Sequence, residues 1–178
     1  GVGVPRDQVA VADRAERGAV GEEVRDAGGT RHPVQLGEQA ADVVLQVGER
    51  MIPESNAACF YLADGSPLVP AERFDRADML RWMFFEQYSH EPNIATSRFW
   101  LQHCELTAER KVALEHKRPL GYAALDVMEK HVTGRMFFVG ERYSIADIAL
   151  YAYTHVADEG GFDLAKYANI RGWLERVR

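Results

Sequence analysis

The apolar positions of the chain follow two different periods. Before residue 53 the apolar runs are short and rich in Val, "QVAVA" at 8–12 and "DVVLQV" at 42–47, which predicts β-strands. From about residue 71 onward, apolar residues recur every three or four positions, and this spacing predicts α-helices. The predicted helices are a long segment from 71 that "HEPN" at 90–93 interrupts, and segments at 106–132, 145–157 and 169–177.

The aromatic residues divide the chain at about the same place. Phe60 is the first Phe, Tyr or Trp along the sequence, so the opening third has little with which to build a core by itself. The segment "ADGSPLVP" at 63–70 has the turn chemistry of a boundary. We therefore predict two domains, residues 1–64 and residues 70–178.

The composition favours a soluble protein of the cytoplasm. With 47% hydrophobic and 27% charged residues, the chain can bury a sizeable core. A net charge of -6 without a basic cluster argues against nucleic acid or a membrane as the main partner. The sequence has no apolar run of about 18 residues, and its first residues lack the apolar core of a signal peptide.

The cysteine and histidine positions predict no metal site. Cys59 and Cys104 fit neither a CxxC motif nor a Cys/His ligand spacing, and we interpret both as reduced core thiols. No two of the six histidines are three or four residues apart, so a metal site on one helix is not expected.

The segment "YSIADIALY" at 143–151 predicts a helix with a defined start. Ser144 and Asp147 have the spacing of a capping box, in which each side chain accepts a hydrogen bond from the backbone N–H of the other residue. The apolar residues that follow fall on one face of the helix. We interpret the segment as a buried structural helix.

The segment "PESN" at 53–56 places several residues typical of helix starts before one short apolar helix, "AACFYLA". One capping side chain usually suffices. The segment is therefore either an ordinary helix cap or a cap whose surplus polar groups bind a ligand.

The two signals "PESNAACFYLA" and "FVGERYSIADIALY" together make residues 44–178 resemble the soluble glutathione S-transferase family. The resemblance includes the hairpin "VLQVGERMI", the linker "GSPLVP" and the last helix "YANIRGWLERV", where the family more often has Pro at position 168. It implies a thioredoxin-like α/β domain, atypical or incomplete here, followed by an all-helical domain. It also implies a homodimer that binds glutathione and a small electrophile, without a metal, as in detoxification.

By this resemblance, the start of the short helix binds the γ-glutamyl group of glutathione. The Ser55 hydroxyl and the unpaired N–H groups of the first turn can hold the α-carboxylate, helped by the helix dipole. Glu54 can take the α-ammonium group. Position 58 is Ala, so no capping-box carboxylate competes for these donors.

Two further contacts follow from the resemblance. Val43 occupies the position of the family's cis-proline, whose backbone pairs with the cysteinyl part of glutathione. A cis bond before a non-proline residue costs about 2.5 to 4 kcal/mol, so we expect a trans bond at Val43 and a weakened pocket wall. Tyr88 is expected in the hydrophobic substrate pocket, whereas Trp82, Phe84 and Phe85 could equally pack in the core.

The sequence identifies no catalytic residue. Family members activate the glutathione thiol with Tyr, Ser or Cys at the start of their first helix, whereas residues 1–54 contain none of these and have Thr30 as their one hydroxyl. Two functions stay open, a transferase that conjugates glutathione to small electrophiles and a non-catalytic binding or assembly module. A further alternative is that residues 1–43 do not represent the natural sequence.

Overall fold

The computed structural model describes residues 9–12, 23–25, 31–33, 44–47 and 49–178. By its internal contacts the chain divides into two units, Gly1–Ala58 and Cys59–Arg178. This division falls inside a helix, whereas the predicted domain limits place the boundary in the turn-rich segment after that helix. The limits 1–64 and 70–178 stay a prediction.

The described part of the first unit contains short antiparallel strands. Three of them form a sheet in the order β1-β4-β5, and the other two, β2 and β3, form a separate pair. The strands are β1 (Val9–Ala12), β2 (Glu23–Arg25), β3 (Arg31–Pro33), β4 (Val44–Val47) and β5 (Arg50–Ile52).

The predicted hairpin and both Val-rich strands are confirmed. In the β4–β5 hairpin, Leu45 is paired with Ile52 and Val47 with Arg50. Helix α1 (Ser55–Ala63) follows β5 directly. These strands and α1 agree with the thioredoxin-like domain, atypical or incomplete, that the family resemblance implies.

The regular structure of the second unit is helical. Its elements are α2 (Arg73–Phe85), a π-helical turn (Glu86–His90), α3 (Glu91–His103), α4 (Ala108–Val132), α5 (Ile145–Thr154), a 3₁₀ helix (Ala157–Gly160) and α6 (Ala168–Val177). The helices predicted at 106–132 and 169–177 are confirmed. Of the helices in the described ranges, none has the length and apolar character needed to cross a bilayer.

The expectation that "HEPN" interrupts the first long helix is wrong. Pro92 has no N–H, and in a regular helix its ring would clash with the Tyr88 carbonyl. The π-helical turn avoids that clash, because Glu91 N–H donates to the Glu86 carbonyl five residues earlier. The Asn93 side chain donates to the Ser89 carbonyl at 2.8 Å and so compensates for one backbone bond.

The helix predicted at 145–157 ends earlier, at Thr154. The Thr154 hydroxyl donates to the Leu150 carbonyl at 2.6 Å, and a 3₁₀ helix follows from Ala157. This 3₁₀ helix packs closely on α3, since a Cβ atom on Gly160 would lie 3.1 Å from the Ile94 carbonyl oxygen.

The core of the helical unit is aromatic and is centred on α5. Trp82, Phe138 and Trp173 are all at most 1% exposed, and the Phe138 ring packs edge-on against both Trp rings. The two cysteines lie outside this core. Cys59 and Cys104 are free thiols, as predicted, but they are half-buried and not core residues.

The predicted capping box of α5 is confirmed, and its carboxylate has a wider role. Asp147 is fully buried and accepts hydrogen bonds from the Ser144 N–H at 3.0 Å and the Ser144 hydroxyl at 3.1 Å. It also accepts from the Phe138 N–H at 3.1 Å and the Trp173 indole N–H at 2.9 Å. Burial raises the pKa of Asp147, and these hydrogen bonds oppose that rise.

The start of α6 is held by a carboxylate from α4. Glu129 accepts hydrogen bonds from the Asn169 N–H at 3.0 Å, the Asn169 side chain at 2.8 Å and the Ile170 N–H at 2.8 Å. These bonds satisfy two N–H groups that the first turn of a helix leaves unpaired. The side chain of Tyr167, which precedes the helix, makes no cap.

We predict that Asp147→Asn destabilises the protein by about 3 kcal/mol, because an amide group replaces an acceptor that faces buried donors. Ser144→Ala removes only the hydroxyl and should cost about 0.5 to 2 kcal/mol. Denaturant unfolding measures both values. Equal costs for the two variants would contradict the central role of Asp147.

A second prediction concerns His90, which is 0% exposed. The Thr154 hydroxyl gives its hydrogen to Leu150, so it accepts the hydrogen bond from His90 Nε2, 2.9 Å away. Nδ1 has no partner among the described residues, and protonation there would bury an unpaired charge. Burial accordingly lowers the His90 pKa to about 4.

Because the unfolded state binds the proton at higher pH, His90 contributes full stability above about pH 6.5 and loses it as the pH falls toward 4. The loss should be on the order of 3 kcal/mol. His90→Gln keeps a donor for Thr154 but does not titrate, so its stability should fall less over this range. Denaturant midpoints at pH 7 and pH 4 test this, and parallel losses in both proteins would refute it.

Candidate functional site

The predicted glutathione contacts Glu54 and Ser55 lie at the start of α1. The Ala58 N–H donates to the Glu54 carbonyl at 3.0 Å, so Glu54 occupies the cap position and Ser55 is the first helical residue. Ser55 is therefore not the helix cap that the ordinary interpretation assumed. Its hydroxyl is exposed, and no described residue is recorded as its hydrogen-bond partner.

The first turn of α1 offers backbone donors at the same place. The N–H groups of Ser55 and Ala57 precede the first intrahelical bond and have no acceptor within the helix. The positive end of the helix dipole adds to their attraction for an anion. The first turn contains no acidic residue, and position 58 is a buried alanine. No carboxylate of this turn therefore competes for these donors.

Glu54 has a left-handed backbone conformation, with a φ of 76°. A non-glycine residue in this region costs on the order of 1 to 3 kcal/mol. The other described example is Glu141, with a φ of 59°, whose side chain accepts a hydrogen bond from the Met136 N–H at 2.9 Å. No such bond is recorded for the exposed Glu54 side chain within the described ranges, so its conformation is not explained by its own contacts.

The third predicted contact, Val43, lies outside the described residues. The fourth, Tyr88, belongs to the helical unit and is 87% exposed on the π-helical turn. Phe84, one helical turn earlier, is 68% exposed, whereas Trp82 is buried and Phe85 is half-buried. The aromatic segment thus divides into two residues that pack in the core and two that face solvent.

The thiol of Cys59 is poorly suited to act as a nucleophile. Burial raises its pKa, and the negative charge of Glu86 raises it further. A thiol with a raised pKa is protonated at neutral pH, whereas the reactive form is the thiolate. No group of three or more potential metal ligands occurs among the side chains that the structure describes.

The fold defines a class of protein in which a thioredoxin-like domain precedes an all-helical domain. The polar groups described above lie at the start of α1, within the first of these domains. The family model described as "Glutathione S-transferase, C-terminal domain" matches residues 79–178. This chain belongs to the glutathione S-transferase family.

Solved structures agree with that assignment. A glutathione S-transferase from Pseudomonas fluorescens Pf-5 is 52% identical with a TM-score of 0.73, over 76% of this chain and 68% of that one. A possible glutathione S-transferase from Rhodopseudomonas palustris is 47% identical with a TM-score of 0.69, over 76% of this chain and 62% of that one.

Among curated proteins, the disulfide-bond oxidoreductase YfcG of Escherichia coli K12 is 29% identical over 128 residues. The match covers 70% of this chain and 58% of YfcG. The chain therefore spans little more than half the length of this relative.

The backbone of Glu54 gives a prediction that separates strain from charge. Glu54→Gly and Glu54→Ala both remove the carboxylate, but only Gly adopts a positive φ without steric cost. The Gly variant should therefore be more stable than the Ala variant by about 1 kcal/mol. Denaturant unfolding of the two variants tests this, and an Ala variant as stable as the Gly variant would show that the position is not strained.

Proposed function

We propose that this protein binds glutathione at the start of α1 and presents its thiol to a small electrophile. The exposed Ser55 at the first helical position, beside Glu54 and beside N–H groups that have no acceptor within the helix, carries the proposal. Family membership supports it, because glutathione is the substrate from which the family takes its name. We further propose that the protein acts as a homodimer in the cytoplasm.

The γ-glutamyl end of glutathione carries a free carboxylate and a free ammonium group, and each has a complement in this segment. The carboxylate would accept hydrogen bonds from the Ser55 hydroxyl and from the N–H groups of Ser55 and Ala57. The ammonium group would pair with the carboxylate of Glu54, which is exposed. Val43 and Tyr88 remain the proposed contacts for the cysteinyl part and the electrophile.

The chemical step would be attack by the glutathione thiolate, in which the sulfur forms a bond to the electrophile and a leaving group departs. A free thiol has a pKa near 8.5, so about a few per cent is thiolate at neutral pH. Alignment of the two reactants accelerates such a step even without a change in pKa. Residues 1–54 contain no Tyr, Ser or Cys and only one hydroxyl, that of Thr30, so the catalytic residue remains unknown.

The competing function is a non-catalytic glutathione-transferase-like module for binding or assembly. The missing thiol-activating side chain favours it, whereas the polar groups at the start of α1 are required by either function. The similarity to YfcG adds a second reaction for the same thiolate, attack on a disulfide sulfur with release of the other sulfur as a thiolate.

We predict that Ser55→Ala weakens glutathione binding by about tenfold or more, because it removes a hydrogen bond to a charged group worth about 1.5 to 3 kcal/mol. Isothermal titration calorimetry measures the affinity. Thr107→Ala is a matched control, since it removes a hydroxyl that caps α4. Equal affinity of Ser55→Ala and the wild type would exclude this site, and no binding by the wild type would exclude the function.

An activity assay then separates the transferase from the binding module. The wild type and Ser55→Ala are compared for conjugation of glutathione to a chloronitrobenzene, with reduction of a small disulfide as a second assay. A transferase should exceed the uncatalysed rate and lose activity in Ser55→Ala. Tight binding with turnover at the uncatalysed rate would support the binding module. Mass spectrometry tests the N-terminal sequence separately, because an N-terminal peptide whose mass differs from that of the given sequence would show that residues 1–43 are not the natural ones.

A further inference from the structure

A cleft of about 420 Å³ in the helical unit is lined by residues of α2, of the C-terminal end of α4 and of the segment that follows α4. None of the residues assigned to glutathione contributes to it. The lining residues are Arg81, Trp82, Val127, Lys130, His131, Thr133 and Arg135.

The cleft is strongly cationic, although the chain as a whole has a net charge of -6. Arg81, Lys130 and Arg135 line it, and Asp78 is the carboxylate beside them. Asp78 pairs with Arg81 Nε at 2.7 Å. No described carboxylate lies within ion-pair distance of Lys130 or Arg135. Counted over the residues that the structure describes, the three cations and the Asp78 carboxylate leave about two positive charges that are not neutralised.

The Arg81 side chain is held in place before any ligand binds. Its guanidinium lies 4.2 Å from the centre of the Trp82 ring, and its Nε bond to Asp78 fixes the end of the side chain. The terminal nitrogens of a guanidinium form a planar fork that suits phosphate oxygens. A preordered cation loses less conformational entropy when a ligand binds.

Trp82 supplies an independent observation. Its side chain is 1% exposed, and its indole N–H has no acceptor among the described residues. The other buried indole of the core, Trp173, donates to Asp147. A buried donor without an acceptor is unfavourable and calls for a partner. Trp82 is also one of the residues that line the cleft.

His131 lines the cleft, and the charges of the cleft act on its pKa. Its Nε2 lies 2.8 Å from the Phe138 carbonyl oxygen, which only accepts, so the hydrogen is on Nε2. Burial lowers the His131 pKa most, and the charges of Arg135 and Arg81 lower it further. The Phe138 bond and Asp78 act in the opposite direction.

Cations near a helix C-terminus often do no more than balance the helix dipole. Lys130 and His131 are in the last turn of α4 and could be explained in this way. Arg81 belongs to a different helix, and Arg135 follows the end of α4. The negative end of the dipole is also reduced, because Thr133 Oγ1 donates to the Glu129 carbonyl at 2.8 Å.

We propose that this cleft binds a small organic phosphate monoester. A phosphate group carries about -1.5 to -2 charges at neutral pH, which matches the unneutralised charge, and its three oxygens suit three cationic donors. The cleft is larger than a bare phosphate ion fills. Val127, which is 48% exposed, offers an apolar surface for the organic part.

Calorimetry on the full chain with phenyl phosphate tests the proposal, with inorganic phosphate and benzoate as comparisons. Phenyl phosphate should bind with one-to-one stoichiometry and more tightly than either comparison. Arg135→Gln and Arg81→Gln should each weaken binding at least tenfold. Arg171→Gln, in a separate cleft beside His155, is the matched control and should leave the affinity unchanged.

A second readout depends on position and not only on charge. When phenyl phosphate saturates the protein, the His131 pKa followed by NMR should rise, while the NMR signals of the exposed His155 ring should not move. Trp82→Phe keeps an aromatic ring but removes the N–H, and it should weaken binding several-fold.

Three outcomes would overturn the proposal. One is an unchanged affinity in Arg135→Gln, and another is an equal loss in Arg171→Gln. The third is no binding by the wild type, as expected if a second copy of the chain covers the cleft.

Discussion

The buried carboxylate of Asp147 is the constraint on which the helical unit depends. A single side chain fixes the start of its own helix, the backbone at Phe138 before it and the indole of the last helix. Removing a carboxylate from water is costly, and the cost is offset only when all of its donors are in place. The arrangement therefore favours one packing of α5, Phe138 and Trp173 over looser alternatives.

Pro92 imposes a second constraint, and its effect is local. In the interior of a regular helix, proline removes one backbone hydrogen bond and its ring crowds the carbonyl four residues earlier. The π-helical turn keeps the helix continuous, places His90 in the core and leaves Tyr88 exposed on the opposite part of the same turn. One residue without an N–H thus separates a buried histidine from an exposed tyrosine within three positions.

Sequence reasoning succeeded where the determining contacts are close along the chain. The β4–β5 hairpin and the capping box of Ser144 and Asp147 involve residues only a few positions apart, so both can be recognised from the sequence. The bonds of His90 to Thr154 and of Glu129 to Asn169 join different helices, and no local pattern indicates them.

The candidate site was only partly predictable for the same physical reason. The start of α1 is a local signal, and the predicted helix "AACFYLA" begins two residues after the observed start at Ser55. The positive φ of Glu54 was not foreseen, because no glycine marks that position. Tyr88 and Trp82 lie on one aromatic segment, and only the packing of the surrounding helices decides which ring is buried.

The carboxylate of Glu129 also bears on the order in which the unit is assembled. The N–H groups at the start of α6 and the indole on its second turn are satisfied by side chains from α4 and α5, which precede it along the chain. As an isolated segment, α6 would be too short to be stable in water. During synthesis it must therefore remain unstructured until those earlier helices have packed. A folded α6 thus indicates that α4 and α5 have already packed.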